Sequence, residues 1–154
     1  LNACQTRPRS RGYVELRSAD PAAPPRIVPN YLAEQYDLDT MAEGVRFGQE
    51  IMSQPALRPL IRREHLPGRP LKTKDDYRDY VRQEAQGAIH PIGTCRIGND
   101  DMAVVDSQLR VHGLSGLRVA DASIMPSLPS GNTNAPAIMV GERAADFIRS
   151  RRND

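Results

Sequence analysis

Proline placement constrains this chain more than any other feature. Of its 154 residues 13 are proline, and they bunch. "ADPAAPPRIVPNYL" at 19–32 holds four, and the stretch from Pro55 to Pro70 holds four more. A proline ring fixes φ and removes a backbone donor, so neither stretch can be helix interior or central strand. Residues 19–32 therefore read as an extended loop, and 55–70 as loop with at most one helical turn.

The helices must lie elsewhere. In "LDTMAEGVRFGQEIMSQ" (38–54), Leu38, Met41, Val45, Ile51 and Met52 fall near one helical face. Asp37 or Asp39 can cap its start, and Pro55 ends it. "TKDDYRDYVRQEA" (73–85) opens on a Thr-x-x-Asp cap and carries Tyr77, Tyr80, Val81 and Glu84 at helical spacing. "APAIMVGERAADFIRSRR" (135–152) is amphipathic, with Pro136 in its first turn and arginines in its last. Ile138, Val140, Ala144, Ala145 and Ile148 are expected to supply most of its buried side.

Strand signals are shorter. "GYVELRS" (12–18) alternates, with Val14 and Leu16 on one face, and reads as a half-buried strand. From residue 96 the texture becomes Val- and Leu-rich, broken by Gly113 and Gly116. It predicts short strands and a turn, ending in a buried strand at "LRVADAS" (117–123). "MPSLPSGNTNAP" (125–136) is a tight polar loop. The fold class expected is α+β, with the first 90 or so residues and the remainder in different structural regions. No repeat or low-complexity block is visible.

Bulk composition narrows function mainly by exclusion. The net charge is +2, with 39% hydrophobic and 26% charged residues. The arginines are spread along the chain apart from "RSRR" (149–152), which reads as a solvated helix end, so no nucleic-acid partner is expected. Two cysteines, Cys4 and Cys95, do not make a disulfide framework. No stretch approaches the roughly 18 apolar residues of a transmembrane helix. The chain starts at Leu1 on loop-like "NACQTRPRSRG", with no signal-peptide pattern. It reads as cut from something longer, so its cellular address is not legible; a cytoplasmic or membrane-associated bacterial-type protein is the guess.

"IHPIGTCRIG" (89–98) concentrates rare residue types, with His90 one of three histidines and Cys95 one of two cysteines. A zinc site wants paired ligands such as Cys-x2-Cys, and no pair exists, so no metal is expected. A Cys95 nucleophile with His90 as base would draw its partners from separate parts of a fold, and nothing marks Cys95 as more than a small packed residue. A structural turn and a histidine placed to move a proton stay open. His65, in a Pro-rich loop, and His112, before Gly113, read as solvated or turn histidines. Asp121 closes the expected strand "LRVAD", and a polar residue at such an end faces the region where ligands bind in α/β arrangements. "SGNTNAP" (130–136) runs into a helix start, whose unpaired N–H groups and partial positive charge suit a ligand that carries or develops negative charge. A capped start without a ligand is the other reading.

Three ordered blocks change the weight of these features. "HPIGTCRIG" (90–98), "VVDSQLRVHGLSGLRVADASIMP" (104–126) and "SGNTNAPAIMVGERAADFI" (130–148) closely resemble the C-terminal region of the glucose–methanol–choline (GMC) family of FAD-dependent oxidoreductases, in its choline dehydrogenase-like branch. "PRSRGYVELRSADPAAPPRIVPNYL" (8–32) resembles the family's entry into this region, so the likeness covers nearly the whole chain. Ile97 and Ser107 depart from the Met and Pro usual at their positions, where no chemistry is assigned.

The resemblance implies an α+β piece of a two-domain enzyme that oxidises a small primary or secondary alcohol by hydride transfer to FAD. Residues 1–95 would belong to the mixed-sheet substrate domain, and 96–154 would return to the Rossmann-like FAD domain as its last strand and helix. By the same likeness His90 lies over the flavin as the base and Asn134 is the second active-site residue, placing the chain with the His/Asn subgroup. Asp121, Ala122, Asn132, Thr133, Asn134 and Ala135 would touch the cofactor.

The family's Gly-x-Gly-x-x-Gly turn, which holds the ADP half of FAD, occurs nowhere in these residues. The chain alone is therefore expected neither to hold FAD tightly nor to turn over. Its implied partner is an N-terminal FAD-binding part of the same protein; the alcohol and the electron acceptor are not legible. A non-catalytic remnant, pairing with a separate FAD-binding chain, is the alternative from another class.

Overall fold

The structure, a computed structural model, describes residues 1–150. It contains three α-helices, a two-stranded sheet and two short 3-10 turns, and divides into compact units at Leu1–Ala88 and Ile89–Asp154. This is a small α+β chain.

In the first unit, β1 (Tyr13–Glu15) pairs antiparallel with β2 (Arg26–Val28), Val14 opposite Ile27. Two expectations change here. The proline-rich segment is not all loop, since β2 fits between Pro25 and Pro29, and each proline limits it to three residues. Nor is β1 half-buried. With only β2 beside it, Val14 is 48% and Ile27 64% exposed.

Helix α1 (Gln35–Met52) starts three residues earlier than Leu38 and is preceded by Glu34, which makes no side-chain cap. Neither Asp37 nor Asp39 caps it. Asp37 is buried, accepting hydrogen bonds from the Arg9 and Ser10 amides and the Gln5 side chain. Asp39 pairs with Arg78 at 2.7 Å and Lys74 at 3.0 Å. Gly44 has a packing reason: a Cβ there would lie 2.8 Å from the Ala3 side chain. That close approach accounts for a residue that costs about 1 kcal/mol in a helix interior.

The stretch after Pro55 holds one 3-10 turn, Arg58–Leu60. Helix α2 (Lys74–Glu84) begins as its sequence predicts. The Asp76 amide donates to Thr73 Oγ1 at 3.1 Å and the Thr73 amide to Asp76 Oδ2 at 2.8 Å, a reciprocal capping box. Val81 packs with Leu38 and Ala42 of α1 in one apolar cluster, with Met41, Val45 and Tyr77 at its border. The Tyr77 hydroxyl finishes the seam by donating to Gln49 Oε1 at 2.8 Å.

The second unit is built around Val105, which is fully buried with Leu109, Ile124, Met125, Val140 and Ala144. Its strand content is smaller than expected. Isolated bridges join Ile97 to Val105, Val105 to Val111 and Arg110 to Arg118. The segment 117–123 is not a buried strand: Leu117, Ala120 and Asp121 are exposed, and Ala122–Ile124 winds into a 3-10 turn. Only Arg118 finds a ladder partner, so alternation there has no sheet to serve.

Helix α3 (Asn134–Ser150) closes this unit, and Arg151 and Arg152 lie outside the described residues. Its packed face matches the expected one at Val140 and Ala144 and departs from it at Ile138 and Ile148. Ala137, Val140, Ala144 and Phe147 meet the core, whereas Ile138 is 60% and Ile148 50% exposed. Among the described residues, no helix is long and apolar enough to cross a membrane.

Candidate functional site

The segment holding His90 turns sharply twice. Ile89 has φ 60° and Gly93 φ 86°, both left-handed. Glycine takes that conformation without cost, and Gly93 also lies against the Met125 carbonyl, where a Cβ would come within 3.3 Å. Ile89 is β-branched and pays for it, since a side chain of that shape is an outlier at positive φ. Pro91 then restricts His90 to an extended backbone.

After Gly93 the segment runs beside the 3-10 turn at 122–124. The Cys95 amide donates to the Ser123 carbonyl at 3.0 Å and the Ile97 amide to the Ile124 carbonyl at 2.8 Å. Two of the three sequence blocks are thus fastened main chain to main chain. Asp121 caps the turn, its Oδ1 accepting from the Ser123 amide at 2.7 Å. Its side chain is exposed, while Ala122 is half-buried against the core.

The third block joins through a side chain. His90 Nδ1 lies 2.9 Å from Thr133 Oγ1, across 43 residues of sequence. Thr133 is only 8% exposed and immediately precedes α3. A hydroxyl there normally accepts from the second or third helical N–H. The third helical residue is Pro136, which has none, so one of the two usual donors is missing, and the hydroxyl oxygen lies against His90. Thr133 was marked in the sequence as a cofactor contact, and its bond to His90 was missed; the proline at the third helical position was the available signal.

Asn132, Asn134 and Ala135 are exposed around Thr133. The first turn of α3 carries no acidic side chain, and a Cβ at Gly131 would meet nothing within 4 Å. The positive end of a 17-residue helix is therefore open to a negatively charged group. This fits the flavin end of FAD, which gains negative charge on reduction, whereas the chain has no glycine nest for the pyrophosphate.

The other histidines and the two cysteines are placed as follows. His112 Nε2 is 3.1 Å from the Gly98 carbonyl in a turn, and His65 is exposed in the proline-rich loop. Cys4 and Cys95 are both free thiols. Among the described residues, no group of three or more His, Cys, Asp or Glu could hold a metal ion.

Comparison with known proteins gives a consistent set of relatives. Residues 8–141 match the family described as GMC oxidoreductase. The chain is 51% identical over 142 residues to the oxygen-dependent choline dehydrogenase of Pseudomonas fluorescens, covering 92% of this chain and 25% of that protein. Against the enzyme of the same name from Burkholderia multivorans the identity is 52% over 143 residues, 93% of this chain and 25% of the other. Among solved structures, formate oxidase of Aspergillus oryzae superposes with a TM-score of 0.87 at 36% identity, over 93% of this chain and 25% of that one. A fungal aryl-alcohol oxidase gives a TM-score of 0.82 at 32% identity, over 97% of this chain and 25% of its own. The chain spans about a quarter of the length of the curated relatives it matches.

Proposed function

The chain belongs to the GMC oxidoreductase family, and from that premise we propose that it forms the part of a flavin-dependent alcohol oxidoreductase that carries the proton-accepting base, His90. The observation that carries this reading is that the middle block fastens the His90 segment through the Cys95 and Ile97 amides while Thr133 of the third block holds the imidazole at Nδ1, leaving Nε2 for a substrate.

The family uses FAD. When bound, FAD supplies the acceptor for the hydride leaving the alcohol carbon. His90 takes the hydroxyl proton at Nε2, as a general base within reach of the substrate hydroxyl. Asn134, exposed at the start of α3, donates its amide N–H to the substrate oxygen as that oxygen gains charge, and so orients the carbon. Asn132, Thr133 and Ala135 at the start of α3, with Asp121 and Ala122, would hold the flavin part of FAD.

In this reading residues 1–95 contribute to the substrate domain and 96–154 to the FAD domain. The ADP half of FAD is held by a further part of the protein, and the substrate is a small alcohol. The choline dehydrogenases among the relatives favour a substrate of the choline class.

The test uses the protein in which these residues are joined to an FAD-binding part. His90→Ala should keep FAD content near normal and slow anaerobic flavin reduction by alcohol by about 10²–10⁴-fold. Reduction at a near-normal rate overturns the base role, and a protein that binds FAD but reduces it with no alcohol favours the non-catalytic reading.

A further inference from the structure

We infer that Thr133 is the positioning residue of this site: its hydroxyl oxygen accepts from His90 Nδ1–H and so keeps the Nε2 lone pair free for the substrate proton. The inference rests on the base role proposed above. A neutral imidazole carries one N–H, on either nitrogen, and the partner of one nitrogen decides the state of the other. Were the Thr133 hydroxyl to donate to Nδ1, Nε2 would hold the proton and could not accept one. Only the Nδ1–H form leaves a base facing the substrate.

Three features make Thr133 suited to enforce that choice. Its β-branched side chain has few χ1 rotamers, so Oγ1 has a defined position. Its carbonyl accepts from the Ala137 amide at 3.0 Å, tying its backbone to the first turn of α3. And Pro136 removes one of the two helical N–H groups that compete for the hydroxyl oxygen. On the other side, Ile89 is held at φ 60° although it is 88% exposed. No burial of its own side chain repays that conformation. The bond between His90 and Thr133 is the interaction next to it that orients the imidazole.

The experiment reads the tautomer directly. With only three histidines in the chain, long-range 1H–15N NMR of the full chain labelled at histidine resolves His90, with His65 and His112 as internal references. His90 should be mainly Nδ1–H, Thr133→Ser should keep that state, and Thr133→Val should lose it while the reference signals stay put. In the FAD-loaded protein, with rates taken per bound flavin, Thr133→Val should lower kcat about tenfold, and Thr133→Ser should restore most of the loss. A dominant Nε2–H form in the unmodified chain overturns the inference, as does an Nδ1–H preference that survives Thr133→Val, or a kinetic loss that serine does not repair. A Thr133-dependent Nδ1–H form together with normal flavin reduction by His90→Ala would uphold this bond while removing the base role.

Discussion

The Cys95 amide donates to the Ser123 carbonyl at 3.0 Å, which lays the His90 segment along the turn that Asp121 caps. The Ile97 amide repeats the contact one step on, to Ile124 at 2.8 Å. Because both bonds run between main chains, they place His90 relative to the Asp121 turn whatever side chains sit at 95 and 97. The Thr133 bond then fixes the imidazole itself. Position and orientation are supplied by separate interactions.

Cys95 therefore acts through its backbone. Cys95→Ser keeps the amide and nearly the same volume at a half-buried position. The rate of flavin reduction should stay within about twofold of the parent, and stability within about 1 kcal/mol. Stopped-flow reduction by alcohol and urea unfolding check the two. A loss as large as that of His90→Ala would return the thiol to the chemistry.

Asn134 offers a sharper separation of roles, because it is both the first residue of α3 and a proposed donor to the substrate oxygen. Asn134→Ala removes one neutral hydrogen bond and should slow flavin reduction by about tenfold, less than the loss of the base. Asn134→Asp should be slower than alanine, since a carboxylate cannot donate and repels developing negative charge. Yet an acid at a helix start favours the helix by about 0.3–1 kcal/mol. Melting temperature and rate should thus move in opposite directions for Asn134→Asp. A variant whose rate and stability fall together would show that residue 134 matters only for folding.

How much was legible follows from the range of each interaction. Helix α2 was readable because its start is local, with Thr73 and Asp76 three residues apart. The start of α1 was not, because Asp37 looks like a cap and is instead an acceptor for amides about 28 residues away. The strand expected at 117–123 failed for a similar reason: alternation in "LRVADAS" says nothing about whether a neighbouring strand exists, and only Arg118 has a bridge. On α3 the expected Val140 and Ala144 are buried, but the large residues Ile138 and Ile148 drew attention to a face that this chain leaves exposed, while Ala137 and Phe147 join the packing. The roles of His90 and Asn134 came through family likeness, whereas Asp121 was already marked as the polar end of an expected strand. The bond between His90 and Thr133 spans 43 residues and has no local signature except Pro136.

Asp37 carries the clearest pH dependence of stability. It is 1% exposed and accepts from the Arg9 amide at 2.8 Å, the Ser10 amide at 2.6 Å, the Ser10 hydroxyl and the Gln5 amide group at 2.9 Å. Burial alone would push its pKa up, but these donors together outweigh it, led by the Ser10 hydroxyl and the Arg9 amide, and hold the carboxyl below its ordinary value. A depressed carboxylate contributes stability that is complete above the unfolded pKa, about 3.9, and is lost as pH falls through the lower folded value. Asp37→Asn turns an NH2 group toward donors that need an acceptor, and should cost about 1–3 kcal/mol at pH 7. Urea unfolding of both proteins from pH 7 downward should show that gap constant to about pH 5 and shrinking below about pH 4. A gap of the same size at pH 7 and pH 3 would mean that the asparagine cost is steric and that the carboxylate charge contributes nothing.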